Sequence, residues 1–238
     1  MNILLLGYGK MGQLIEELAL KKGHTIIGKI NSKNSQELCS IDTQSIDVAI
    51  EFSQPETVLK NVKWCIDNKI PVTIGTTGWQ ESKAEIDDYC NRKKGTYFFA
   101  SNFSIGVNLF FKLNEQLAKK LNSFNDYEPS IVEIHHTNKL DAPSGTAITL
   151  AEGIINNLTR KNKWTDSKVS EPGAIKIMSE RIDPTPGTHT ISYDSSIDKI
   201  EIKHTAHSRL GFATGALMVA EWVIDKKGIL SMDDFLSP

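Results

Sequence analysis

Over the first hundred positions, short apolar runs alternate with stretches whose apolar residues are spaced as on one face of a helix. Asn2 to Leu6 is an apolar run ended by Gly7, and in 11–22 the residues Met11, Leu14, Ile15 and Leu18 fall at helical spacing. A second apolar run from Thr25 to Ile30 completes a strand, helix, strand unit of the length that a parallel pair requires. The pattern recurs as a strand at 47–52, a helix at 56–68 behind Pro55, a strand at 71–74, a helix at 81–93 and a strand at 97–100. Such alternation predicts a Rossmann-like, doubly wound α/β domain around a parallel sheet.

After Phe103 the pattern changes. A long amphipathic stretch at 107–121 precedes a strand at 131–136 and a helix at 145–158, and three strands at 175–180, 188–193 and 199–205 then follow without long helices between them. That order predicts a second, α+β domain with a mixed or antiparallel sheet. Residues 159–173 are polar and contain Pro172-Gly173, which reads as a surface loop inside that domain. The last helix, about 213–226, is grouped with the N-terminal domain, giving 1–103 plus 212–238 for a dinucleotide-binding domain and 104–211 for a substrate-binding and oligomerisation domain.

Composition narrows the function. The 238 residues carry a formal net charge of −2, so a general affinity for nucleic acid or for a membrane surface, which depends on excess Lys and Arg, is not expected. Three widely separated cysteines, Cys39, Cys65 and Cys90, suggest neither a disulfide framework nor a zinc pair, and no metal is expected. With no basic leader and no long apolar run at the start, the expected location is the cytoplasm.

Two stretches carry chemistry. Gly7-Tyr8-Gly9-Lys10-Met11-Gly12 is a G-x-G-x-x-G string between a predicted strand and a predicted helix, the context in which backbone N–H groups face a pyrophosphate. The second strand ends in Asn31 where an acidic ribose ligand is usual, and Lys29 and Lys33 are near, so NADPH as well as NADH is expected to be accepted. Gly75, Thr76 and Thr77 follow one strand and Ser101, Asn102 and Phe103 another, positions that border the nicotinamide half of the crevice in an open parallel sheet. The other stretch, Glu133 to Ala147, reads EIHHTNKLDAPSGTA. It combines histidines with near-neutral pKa, a lysine, and a turn in which Ser144 is placed to cap a helix whose first N–H groups can hold an anion.

The string H-H-x-x-K-x-D-A-P-S-G-T-A, with G-x-G-x-M-G at the start, I-G-T-T-G and N-F-S-x-G-V-N later, and the stretch from His204 to Ala216, resembles the 4-hydroxy-tetrahydrodipicolinate reductase family of lysine and diaminopimelate biosynthesis. The resemblance spans essentially the whole chain. It implies that His135 protonates the reduced substrate, that Lys139 is a second proton donor and cation, that His136 contacts substrate, and that Ser144, Gly145 and Thr146 hold a carboxylate. It also implies that Gly7 to Gly12, Gly75 to Thr77 and Ala100 to Phe103 hold NADPH or NADH, and that the enzyme is a homotetramer acting on a small dicarboxylate; Asn31 and Lys33 join the cofactor residues through the reading of the second strand's end. The chain departs from the family pattern in a short glycine loop, in Lys10 where arginine is frequent, in the absent acidic ribose ligand and in a compact loop at 31–46. Two alternatives stay open. One is a two-domain reductase of another small carboxylate, although an aldehyde dehydrogenase of that kind needs a nucleophilic cysteine in the second domain, and none is there. The other is a non-catalytic NADPH sensor, which would have no need to keep His135 and Lys139.

Overall fold

In the computed structural model, which describes residues 1–167, 169 and 171–237, the N-terminal apolar run forms β1 (Asn2–Leu6), buried from Ile3 onward. It leads into α1 (Lys10–Lys21) and β2 (Thr25–Ile30). Two short 3-10 turns, Ser35–Ser40 and Thr43–Ser45, then connect to β3 (Val48–Glu51). Next come α2 (Pro55–Asp67), which opens on a proline, β4 (Val72–Ile74), α3 (Lys83–Lys93) and β5 (Thr96–Phe99). A proline in the first turn forfeits no helical hydrogen bond, and Arg92 and Lys93 in the last turn of α3 suit its negative end.

The chain divides into two units, Met1–Ile105 with Leu210–Pro238, and Gly106–Arg209. α4 (Ile105–Leu121) leads into the second, which contains β6 (Glu128–His135), α5 (Gly145–Ile155), β7 (Lys163–Thr165), β8 (Ala174–Arg181), β9 (Gly187–Asp194) and β10 (Lys199–Ala206). Its five strands run in the order β10-β9-β6-β8-β7, with β6, β7 and β8 parallel to one another and β9 antiparallel to both β6 and β10. The sheet is therefore mixed. β7 lies in the stretch expected to be loop: Trp164 packs on the core of this unit, and three residues are too few to show a period of two. Lys168 and Ser170 of that stretch lie outside the described residues. Leu150, Ala151 and Ile154 of α5 and Phe110 and Ala118 of α4 pack on Ile131, Ile175, Ile177, Ile191 and Tyr193. Along β6 every second residue is buried, so Ile131, Glu133 and His135 share one face and Val132 and Ile134 the other.

The chain then returns to the first unit as α6 (Leu210–Val223), β11 (Gly228–Leu230) and α7 (Met232–Leu236). β11 pairs parallel with β5, which gives an all-parallel six-stranded sheet in the order β11-β5-β4-β3-β1-β2. Helices cover both faces. Leu4 and Leu6 share a core with Val58, Val62 and Ile66 of α2 and Ile86 of α3, while Ile3 and Leu5 pack with Ile15 of α1 and Ala213, Ala216 and Ala220 of α6. Burial on both faces explains why these strands read as unbroken apolar runs. Among the described residues no helix is long and apolar enough to cross a membrane.

Within the first unit α6 can pack so closely on the segment after β5 because Gly215 lacks a side chain: a Cβ there would stand 1.7 Å from the carbonyl oxygen of Phe103. Backbone cannot yield as a flexible side chain can. Gly215→Ala is therefore expected to cost about 3 kcal/mol, the upper end of the usual range for overpacking, read as a fall in the denaturant midpoint. An unchanged midpoint would show that the helix has room to shift.

Candidate active site

The glycine string joins β1 to α1 and its three glycines do different work. A Cβ on Gly7, whose φ is +97°, would lie 2.0 Å from the carbonyl oxygen of Phe52, and one on Gly12 would lie 2.4 Å from that of Gly7. At Gly9 a Cβ would meet nothing within 4 Å. Gly7 and Gly12 thus permit close packing, whereas Gly9 faces open space through which a ligand can reach the backbone. Gly9 is also the N-cap of α1 and no side chain caps that end, so the first N–H groups remain for an anion.

A cleft of about 870 Å³ opens here, and Gly7, Tyr8, Gly9, Lys10, Met11, Asn31, Gly75, Thr76 and Thr77 are among its walls. Gly12, Lys33, Ala100, Ser101, Asn102 and Phe103 are not. Ala100 and Phe103 belong to the core, the Phe103 ring 5.7 Å from that of Phe52. Lys33 contributes its backbone N–H, which donates to Asn31 Oδ1 at 2.8 Å. Of the two lysines expected near the ribose, Lys29 is already paired, 2.7 Å from Glu16 Oε1 and over the Tyr8 ring, while the Tyr8 hydroxyl donates to the same carboxylate. Sequence reasoning missed the walls after β3, Phe52, Ser53 and Gln54, although they too follow the carboxyl end of a parallel strand. Their loop is tied down by Glu51, fully buried at the end of β3, which accepts from the Ser53 hydroxyl and from Asn61 Nδ2 at 3.3 Å; the Ser53 N–H in turn donates to Thr76 Oγ1 at 2.8 Å. Burial pushes the Glu51 carboxyl up, with hydrogen bonds from Ser53, Thr76 and Asn61 opposing it.

Sheet register assembles the chemistry of the second unit. Glu133 of β6 pairs with His189 of β9, and His135 of β6 with Arg181 of β8. Glu133 has no exposure, and its carboxylate accepts the Ser144 N–H at 3.1 and 3.2 Å through its two oxygens. Oε2 lies 3.4 Å from His135 Nδ1 and 3.6 Å from His189 Nε2, and Oε1 lies 3.4 Å from Arg181 Nη2. Ser144 caps α5 as expected, its Oγ accepting from the Ala147 N–H at 3.2 Å, and that oxygen also sits 3.1 Å from His189 Nε2. The Ser144 N–H is thus committed to Glu133. The N–H groups of Gly145 and Thr146, at the start of α5, are the ones placed for a ligand. A Cβ on Gly145 would meet no atom within 4 Å, so the approach to that helix end is open.

His135 and His136 part company because β6 ends at His135. His135 is buried with Nδ1 out of hydrogen-bond alignment, and its ring stands edge-on to that of His189 with centroids 5.0 Å apart. His136 lies beyond the strand and is only partly buried. Lys139 is paired with Asp141, its Nζ 2.7 and 2.8 Å from the two carboxylate oxygens. Glu133, His189 and Arg181 were not among the residues singled out in the sequence. Glu133 had a signal, since it is two positions from His135 on one strand, whereas His189 and Arg181 come from strands whose register no local pattern discloses.

Burial lowers the pKa of His135 to about 4, helped by the neighbouring positive groups His189, Lys139 and Arg181 and opposed by Glu133. For Glu133 burial acts upward, but hydrogen bonds from His189, Ser144 and Ser179 prevail and hold it well below the ordinary carboxylate range. Glu133, His135 and His189 bring donor atoms within 4.8 Å of one another, a set that suits a divalent cation by type. Ser144 and Arg181 already engage the carboxylate, which makes the cluster a charge network as it stands.

Residues 1–103 match the family described as dihydrodipicolinate reductase, N-terminus, and residues 106–236 the one described as its C-terminus. The chain is 47% identical over 237 residues to a 4-hydroxy-tetrahydrodipicolinate reductase of Christiangramia forsetii, covering 100% of this chain and 98% of the relative. It is 36% identical to one of Neisseria meningitidis, over 93% of this chain and 83% of the relative. A solved structure of dipicolinate-bound dihydrodipicolinate reductase from Paenisporosarcina sp. TG-14 shares its fold with a TM-score of 0.81 at 23% identity, over 99% of each chain.

The electrostatics yield a signed expectation. Because the folded pKa of His135 lies below that of a free histidine, the folded state binds fewer protons between about 4 and 6.5. The stability that this site contributes is complete above pH 6.5 and is lost as the pH falls through about 4. Side-chain NMR of the ligand-free protein should show the His135 ring taking its proton near pH 4; titration near 6.5 would mean that the ring is hydrated.

Proposed function

The chain belongs to the dihydrodipicolinate reductase family, and on that premise we propose how its residues divide the chemistry. The reaction is reduction of 4-hydroxy-tetrahydrodipicolinate, or of the dihydrodipicolinate formed from it by loss of water, to tetrahydrodipicolinate, with NADH or NADPH, in lysine and diaminopimelate biosynthesis.

In this reading the first unit is the dinucleotide domain. The uncapped start of α1 and the open space over Gly9 suit a pyrophosphate, and Tyr8, Lys10, Met11, Asn31 and Gly75 to Thr77 would line the rest of the cofactor. When bound, the nicotinamide supplies a hydride. Gly12 acts by packing, and Ala100 to Phe103 and Lys33 act at the edge of the site by shaping its loops.

The second unit handles substrate. One carboxylate meets the Gly145 and Thr146 N–H groups and the positive end of α5, with Ser144 fixing that turn. Lys139 serves the other carboxylate after exchanging Asp141 for it, and His136 is a binding contact. A conjugated cyclic imine takes hydride at carbon, and the displaced electron pair must be quenched by a proton on carbon. His135 delivers that proton, with Lys139 as a second source. A ring with pKa near 4 is mostly neutral at pH 7, so two substrate carboxylates arriving beside it are what load the acid. Ser144 is the observation that carries this assignment: it caps the helix that takes the anion and touches both Glu133 and His189, the partners of the proton donor.

We also infer a cytoplasmic homotetramer. Free thiols at Cys39, Cys65 and Cys90 suit a reducing compartment. The pair Val132 and Met178, on the sheet face away from the core helices, remains partly exposed in the single chain and suits burial between subunits.

A coupled assay tests the reaction, with the upstream synthase supplying the unstable substrate and nicotinamide absorbance followed for NADH and NADPH in turn. His135→Gln should lower kcat by about 10²–10⁴-fold, the usual worth of general acid catalysis, with cofactor affinity unchanged. His136→Gln should raise KM more than it lowers kcat. Near wild-type kcat in folded His135→Gln would move the proton source to Lys139 or water. Asn31→Asp tests the ribose loop, because the new carboxylate can still accept from the Lys33 N–H while adding a charge. It should shift the NADPH to NADH preference by about tenfold toward NADH, and an unchanged ratio would place the 2′-phosphate elsewhere.

A further inference from the structure

We propose that Glu133 and His189 are positioning residues of the reduction, binding His135 into one charge-coupled unit of two imidazoles around one carboxylate, anchored to the carboxylate-binding turn through Ser144. The inference rests on the assignment of His135 as proton donor.

The geometry is that of a shared counter-ion. A single oxygen, Glu133 Oε2, lies 3.4 Å from His135 Nδ1 and 3.6 Å from His189 Nε2, and the two rings are only 5.0 Å apart. The same carboxylate holds the Ser144 N–H, and His189 Nε2 lies 3.1 Å from Ser144 Oγ. Proton donor and anion-binding helix start are therefore fastened to the same buried groups. A movement of one is felt by the other.

Charge balance gives each member a distinct role. The groups facing His135 are Glu133 on its own strand, His189 on β9, Arg181 on β8, and Lys139 on the loop that follows β6, with Asp141 beyond Lys139. His204 on β10 pairs with His189 in register from the far side. One carboxylate among these cations supports one imidazolium well and two poorly, so a proton on His189 opposes a proton on His135. Glu133 favours protonation of the donor, and His189 limits it.

Opposite signs follow, which a purely structural role does not produce. His189→Gln retains an amide that can reach Ser144 but removes the competing cation. It should raise the pH at which His135 takes its proton by about one unit or more, the scale for two charges some 5 Å apart at a protein effective dielectric. Glu133→Gln should lower it. The kcat–pH profile of each variant should move its descending limb in the same direction as the titration. The measurements are histidine side-chain NMR on the full-length ligand-free protein and the coupled assay across pH. Wild-type protein supplies a check that needs no variant: within a coupled unit the His135 curve departs from a single-site titration, and a clean single-site curve would overturn the unit. An unmoved His135 titration in folded His189→Gln would also overturn it. Titrations that move as stated under a stationary kcat profile would overturn the donor assignment of His135 instead and leave the coupling in place.

Discussion

A carboxylate with no exposure to water must find its stabilisation inside the protein, and in the second unit that demand, made by Glu133, organises everything around it. The Ser144 N–H is drawn to it and thereby fixes where α5 begins; His189 and Arg181 are held toward it from the strands on either side. Register, helix start and the His135 ring are thus mutually constrained. A slip of β9 by one residue would turn His189 to the other face and leave the carboxylate without that partner.

The first unit uses a buried carboxylate in a related way with the opposite electrostatic outcome. Glu51 at the end of β3 ties the Ser53 and Thr76 loops that line the cleft beside the glycine string, but its partners are hydroxyls and an amide. Burial prevails there and pushes the carboxyl up, whereas at Glu133 hydrogen bonds from His189, from Ser144 and Ser179 and from the Ser144 N–H outweigh it and hold the carboxyl down. Hydroxyl and amide partners hold the loop there, while burial sets the direction of the shift. The carboxylate beside His135 thus keeps its charge, as the proposed assignment of that ring requires.

Much of this was legible in the chain. The strand and helix periods of 1–100 place β1 to β5 and α1 to α3 within a few residues, because apolar burial on both sheet faces writes a long local signal. The three-residue strands β7 and β11 carry no such signal, being fixed by pairing with β8 and β5. At the site, Ser144, Gly145 and His135 could be read from a contiguous string whose turn chemistry is local. His189 could not, since 52 residues that no short-range rule aligns separate it from His136, and its meaning arises only opposite Glu133. The pairing of Lys29 was hidden for a related reason: its partner Glu16 is a helix residue, and only the packing of α1 beside β2 brings the two together.

A proton donor that rests neutral has to be charged by something, and the causes of its shift say by what. With a value near 4, the His135 ring holds no proton at pH 7 until an opposite charge arrives, because burial and the charges of His189, Lys139 and Arg181 outweigh Glu133. An anion at the α5 turn and a second one opposite Lys139 would each act in the same direction as Glu133. On the proposed assignment of His135, a dianion therefore favours the protonated ring more than a monoanion does, and selectivity for a dicarboxylate would lie in the rate of proton transfer as well as in binding.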